Sequence, residues 1–113
     1  MADTNPSPVP VANAAAWNED LVFAVLADPV RRKLLATLAL KGGQPASGLM
    51  SVAGRRLDAT LKQLVSMREA GLLVTTPDPQ DGRRMLYSLA PAVPVKKTEA
   101  GVELDFGFCR LRV

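Results

Sequence analysis

The chain contains no histidine and a single cysteine, Cys109, among its 113 residues. These shortages exclude much chemistry. A Ser-His-Asp triad or a Cys-His pair lacks its imidazole. A zinc site of two cysteines and two histidines cannot be assembled. An intrachain disulfide lacks its second thiol. Aromatic residues make up only 4% against 48% hydrophobic residues overall. The core is therefore aliphatic, built from Leu, Val and Ala with a few Met, which suits helices packing on helices. No apolar run approaches the roughly 20 residues of a membrane helix. The opening "MADTNPSPVPVANAAA" has neither the basic nor the apolar region of a secretory signal, so the expected location is the cytoplasm. Paired catalytic carboxylates and a glycine-rich phosphate loop are also missing. Neither an enzyme nor a cofactor is expected.

Charge is present but unevenly placed. The formal net charge is +3. Residues 29–90 hold ten Lys and Arg against four Asp and Glu, whereas the flanks hold four against seven. A basic centre between acidic ends fits a polyanionic partner, although a solvated helical surface can carry the same excess.

Residues 1–13, rich in Pro, Ser and small side chains, read as a disordered arm. A helix is expected over 14–27, with Trp17, Leu21, Ala24 and Val25 on one stripe and Phe23 and Leu26 off it. Such a helix, apolar on two sides, can pack on its own domain and on a second subunit. "DPVRRKLLATLALKGG" is the best-punctuated element. Asp28 is a natural N-cap and Pro29 suits the first helical position. Val30, Leu34, Thr37 and Leu38 form the inner face, and Gly42 and Gly43 stop the helix. Arg31, Arg32 and Lys33 sit at the end that the helix dipole disfavours, so something else accounts for them, or they are merely solvated.

"QPASGLMSVAG" reads as a short helix ending at Gly54. Next comes "RRLDATLKQLVSMREAGL", with Leu57, Leu61, Leu64 and Met67 on one stripe beside Thr60, and Gly71 closing the helix. The period then changes. "LLVTT" and "RRMLYSLA" are strand-like and "PDPQDG" joins them, with Asp81-Gly82 as a hairpin signal. "PAVPVKKTEA" reads as loop. "GVELDFGFCRLRV" alternates Leu104, Phe106 and Phe108 against Asp105, Gly107 and Cys109, and reads as one strand.

A short helix, a glycine turn and a basic helix form a helix-turn-helix, and the following hairpin is a wing. The second helix fits the major groove of duplex DNA, and the wing can reach the backbone or the adjacent minor groove. The expected fold is mainly α with a small β hairpin, a winged helix-turn-helix over residues 14–90. Residues 91–113 form a C-terminal extension with a candidate strand, open to a role in dimerisation. The candidate DNA contacts are Arg55, Arg56, Asp58, Ala59, Thr60, Lys62 and Gln63 on the helix, and Arg83 and Arg84 on the wing. Arg55, Arg56 and Lys62 suit phosphates or guanine edges, and Gln63 suits adenine. Asp58 has two readings, a cytosine contact or a favourable charge at a helix start. Thr60 has two as well, a phosphate contact or a core position with a satisfied hydroxyl. Exposed arginines at Arg83 and Arg84 can also serve solubility alone. Arg68 and Glu69 read as structural charges. Cys109 reads as a buried small hydrophobe before a redox switch.

"VLADPVRRKLLATL" followed by "KQLVSMREAGLLVTTPDPQDGRRMLYSL" resembles the ArsR/SmtB-type winged helix-turn-helix repressors. Arg68, Glu69, Ala70, Gly71 and Leu72 match the family's end of the recognition helix. Asp81, Gly82, Arg83, Arg84, Tyr87 and Leu89 match its wing. The resemblance spans about residues 20–90. It implies a homodimeric regulator of transcription that reads a pseudo-palindrome in double-stranded DNA, with a small-molecule effector as an open addition. The family's metal sensors use cysteines near the short helix, or His with Asp or Glu on a last helix. This chain has neither, so no metal site is expected. Gln63 stands where the family usually has His, and "RLDATLKQ" replaces the usual polar start of the recognition helix, so base specificity does not carry over. The non-helical C-terminus implies a dimer built differently, from the first helix and the C-terminal strand. The alternative function is a winged-helix adaptor that binds protein rather than DNA.

Overall fold

The computed structural model describes residues 17–113. The expected arm and the expected helix start at residues 14–16 lie outside them. Helix α1 runs Glu19–Leu26, started by Asn18, whose side chain accepts the Leu21 N–H at 3.1 Å. It buries Val22 and Val25, while Leu21, Phe23 and Ala24 are exposed. The expected Trp17–Leu21–Ala24–Val25 stripe is thus corrected. Trp17 precedes the cap, so it is not in phase with the helix and packs inward from outside it instead.

Helix α2, Pro29–Lys41, forms as its punctuation predicts. The Asp28 carboxylate accepts the Val30 N–H at 2.8 Å, and Gly42, at φ 81°, closes the helix. Leu34, Leu35 and Leu38 are buried, with Val30 and Thr37 at the margin. The basic first turn also has an explanation. Arg31 donates to the Ala24 carbonyl at 3.2 Å, and Arg32 donates to the Leu26 carbonyl. Two arginines of α2 therefore satisfy the free carbonyl end of α1, where positive charge is favoured. Replacing Asp28 by Ala is expected to cost about 1 kcal/mol, read as a lower melting temperature in circular dichroism.

The expected short helix is subdivided. Strand β1, Gln44–Pro45, pairs with a later strand, β3, Met85–Leu89, a 3-10 turn follows over Ala46–Leu49, and α3, Met50–Ala53, is a single turn. Gly43 lies so close to β3 that a Cβ there would meet the Ser88 hydroxyl at 2.7 Å. Gly54, at φ 65°, makes the tight turn into α4, Leu57–Glu69. That helix buries Thr60, Leu64 and Met67.

Strands β2, Leu73–Pro77, and β3, Met85–Leu89, pair antiparallel from Leu73 opposite Leu89 to Pro77 opposite Met85. The first sheet has the order β1-β3-β2. The C-terminus differs from expectation. Instead of one strand there is a meander of β4, Val95–Thr98, β5, Gly101–Asp105, and β6, Arg110–Arg112, paired in that order. The Phe106 N–H donates to the Cys109 carbonyl at 2.9 Å, and Gly107, at φ 92°, lets the chain reverse. Leu104 and Phe106 keep their inward side and join Leu34, Leu64 and Trp17 in one core. The Phe106 ring meets Trp17 edge-on at 5.2 Å, and Phe108 meets Phe23 at 5.3 Å. The second sheet is thereby packed onto the α1 side of the domain. The fold is a mainly helical winged helix-turn-helix with two small antiparallel sheets.

Candidate nucleic-acid interface

The turn at Gly54 and the buried stripe of α4 fix which side chains the helix presents. Arg55, Arg56, Asp58 and Lys62 are exposed, and Ala59 and Gln63 are half-buried. Asp58 lies in the first turn of α4, where a carboxylate is favoured by the free N–H groups. It also precedes Lys62 by four residues, a favourable spacing.

Thr60 leaves the candidate contact set. Its relative exposure is 0%. Its hydroxyl donates to the Arg56 carbonyl at 2.9 Å, within the first turn of α4. Arg56, at the N-cap position, makes no side-chain capping hydrogen bond. Its guanidinium is not committed to holding the start of the helix. Gln63 is restrained from behind. Its Oε1 accepts from Arg31 Nε at 2.6 Å, so α2 holds the carboxamide and only its NH₂ end is turned to other partners. Sequence alone does not mark Arg31 for this role, because its partner lies 32 residues away.

The wing loop is larger than Asp81-Gly82 suggests. Residues 78–84 close through the Asp78 N–H donating to the Arg84 carbonyl at 2.9 Å. Gly82 does not take the positive φ that a two-residue hairpin turn of that kind needs. Asp78 organises the loop instead. It is buried, and its carboxylate accepts the Gln80 N–H at 2.9 Å and Arg84 Nη2 at 2.9 Å. The Gln80 N–H, followed by the Arg84 guanidinium, holds its carboxyl below the ordinary 3.8. The two wing arginines therefore differ. Arg84 is largely engaged inside the wing. Arg83, 92% exposed, meets only Asp81 at 3.2 Å, an exposed pair of little strength.

A folded-state value below the unfolded one means that the Asp78 contribution is complete above about pH 3.8 and is lost as the pH falls through the folded value. Asp78→Asn should mimic the acid state at neutral pH. Amide exchange is expected to quicken over residues 78–84 while the helices keep their protection.

Between α4 and the wing lies an open groove of about 310 Å³, floored by Leu57, Leu61, Met85 and Tyr87. Leu57 does not occupy the buried stripe that its spacing predicts. It is 43% exposed, and Met85 is 42% exposed.

Cys109 is half-buried. Burial, then the carboxylates of Asp105 and Glu19, push its thiol above the ordinary 9.0. A thiol held in its protonated form is a poor metal ligand and a poor nucleophile. Among the described residues, no group of three or more His, Cys, Asp or Glu could hold a metal ion. No helix of the described residues is long and apolar enough to cross a membrane.

No family model and no curated protein matches the chain. Solved structures do. A probable transcriptional regulator from Pseudomonas aeruginosa is 26% identical, with a TM-score of 0.54, over 73% of this chain and 61% of that one. The cadmium metal-sensor CMTR from Mycobacterium tuberculosis is 30% identical, with a TM-score of 0.50, over 63% of this chain and 70% of that one. The chain thus spans 61% of the length of the first of these relatives.

Proposed function

The chain belongs to the ArsR/SmtB-type winged helix-turn-helix regulators, and from that premise we propose that it represses transcription as a homodimer bound to duplex DNA. Helix α4 enters the major groove, and the wing lies on the adjacent backbone or minor groove. One observation carries this reading. Exposed Arg55 and Arg56 at the start of α4, Lys62 on it, and Arg83 on the wing are cations carried by two elements anchored in a single core. Rigidly spaced positive groups suit a rigid polyanion. A regulator of this kind works where the chromosome is, which in a bacterial cell is the cytoplasm.

Metal sensing, the role named for the Mycobacterium tuberculosis relative, is not part of the proposal. The residues do not fit a cadmium ion: the chain offers one protonated thiol and no imidazole.

The dimer is proposed to form through α1. Leu21 and Phe23 are 46% and 48% exposed there, large apolar side chains on one short helix. Edge-to-edge pairing of the C-terminal sheet is disfavoured. Its outer strands carry Lys96 and Lys97 on β4 and Arg110 and Arg112 on β6, so any two outer strands oppose like charges.

The test is fluorescence anisotropy on a duplex selected from a random pool, with sedimentation of the complex. The proposal expects two chains per duplex, and at least about 1,000-fold preference over a random duplex. Equal, weak binding to every duplex would replace it with the protein-binding adaptor, for which exposed Leu21 and Phe23 would be the docking surface.

A further inference from the structure

We infer that Leu57 is a specificity-determining residue that reads the methyl group of a thymine. The inference rests on the DNA-binding reading above and adds to it the base that one position of α4 selects.

Leu57 is the first residue of α4, in the turn where recognition helices meet base edges. By spacing it belongs with Leu61, Leu64 and Met67, yet it does not reach the core. Leu64 and Met67 are fully buried, whereas Leu57 stays 43% exposed. Its exposure is not isolated. Leu57 and Met85 line the same 310 Å³ groove, one from the helix and one from the base of the wing.

Free cations stand beside that groove. Arg55 and Arg56 immediately precede Leu57 in sequence and are exposed, whereas Arg84, on the opposite wall, is paired with Asp78. An apolar floor with free cations beside it calls for an apolar group carried by a polyanion. Duplex DNA has one in the major groove, the thymine methyl, and aliphatic side chains are its usual partners. Arg55 and Arg56 would hold phosphates or neighbouring base edges while Leu57 covers the methyl. Cytosine, with no methyl, would leave the floor wet.

The experiment begins with selection of a motif by the wild-type chain. Each thymine of the selected duplex is then replaced, one at a time, by deoxyuridine, which removes only the methyl. Anisotropy is measured with wild type and Leu57→Ala. One position in each half-site is expected to weaken wild-type binding about fourfold on losing its methyl, the value of one buried carbon. The same replacement should leave Leu57→Ala unchanged. A selected motif whose thymines all tolerate deoxyuridine in the wild type would overturn the inference and leave the DNA reading standing. So would a deoxyuridine effect of equal size in both proteins. Failure of the wild type to select any motif would remove both. The wild-type measurement needs no variant, so it can still overturn the inference where Leu57→Ala folds poorly.

Discussion

Reversing charge at Lys62 and Arg83 together is expected to lower affinity for the selected duplex on the order of 100-fold or more at constant salt. Both side chains are exposed. Lys62 lies on the outer face of α4, and Arg83 holds only a weak exposed pair with Asp81. Neither is part of the core, so the fold should survive. The sharper signature is the salt dependence. Each phosphate contact removed flattens the slope of log affinity against log salt by about 0.9. With two chains on the duplex, Lys62→Ala and Arg83→Ala each remove two contacts and should each flatten it by about 1.8. Arg84→Ala should behave differently, because Arg84 is committed to Asp78. Its main effect is expected in amide exchange of the wing, with the affinity following from a loosened loop.

Replacing Phe106 by Ala is expected to destabilise the whole domain by about 3–5 kcal/mol. Phe106 is 2% exposed and stands edge-on to Trp17. Trp17 in turn approaches Gly71, just past the end of α4. The ring thus couples the C-terminal sheet to the same core that holds α4. Losing it costs a large share of the stability ordinary for a domain of this size. Trp17 is the only tryptophan, so its emission reports the loss directly in a denaturant titration. A C-terminal sheet that were a loose appendage would give a stability change near zero. Trimming Val95 to Ala is the matching control, since that exposed side chain should cost less than about 0.5 kcal/mol.

The parts of the fold that were legible in sequence are those with local signals. Helix α2 announces itself through Asp28, Pro29 and Gly42, each acting within a few residues of its own position. The α4 stripe and the β2–β3 alternation are similarly local. Strand β4 reads as loop in sequence because Val95, Lys96, Lys97 and Thr98 are all exposed, and an edge strand with no buried face shows no alternation. The tail read as one strand because Leu104, Phe106 and Phe108 keep period two. The reversal depends on Gly107 adopting a positive φ, which a glycine permits without announcing.

At the candidate site, the helix and the wing were legible as elements, but the state of individual side chains was not. Thr60 is buried and bonded to its own helix turn. Gln63 is held by Arg31 from another helix, and Arg84 is held by Asp78 across the wing loop. These pairings depend on tertiary approach. Leu57 is the converse, a side chain that spacing sends inward and packing leaves outside.

The most direct test of the central claim is hydrogen exchange of the chain with and without its selected duplex. Slowed exchange over residues 55–66 and 78–85, with residues 95–112 unchanged, is the result expected of a recognition helix and wing on DNA. Slowed exchange confined to α1 and the C-terminal sheet, with α4 and the wing unaltered, would contradict it.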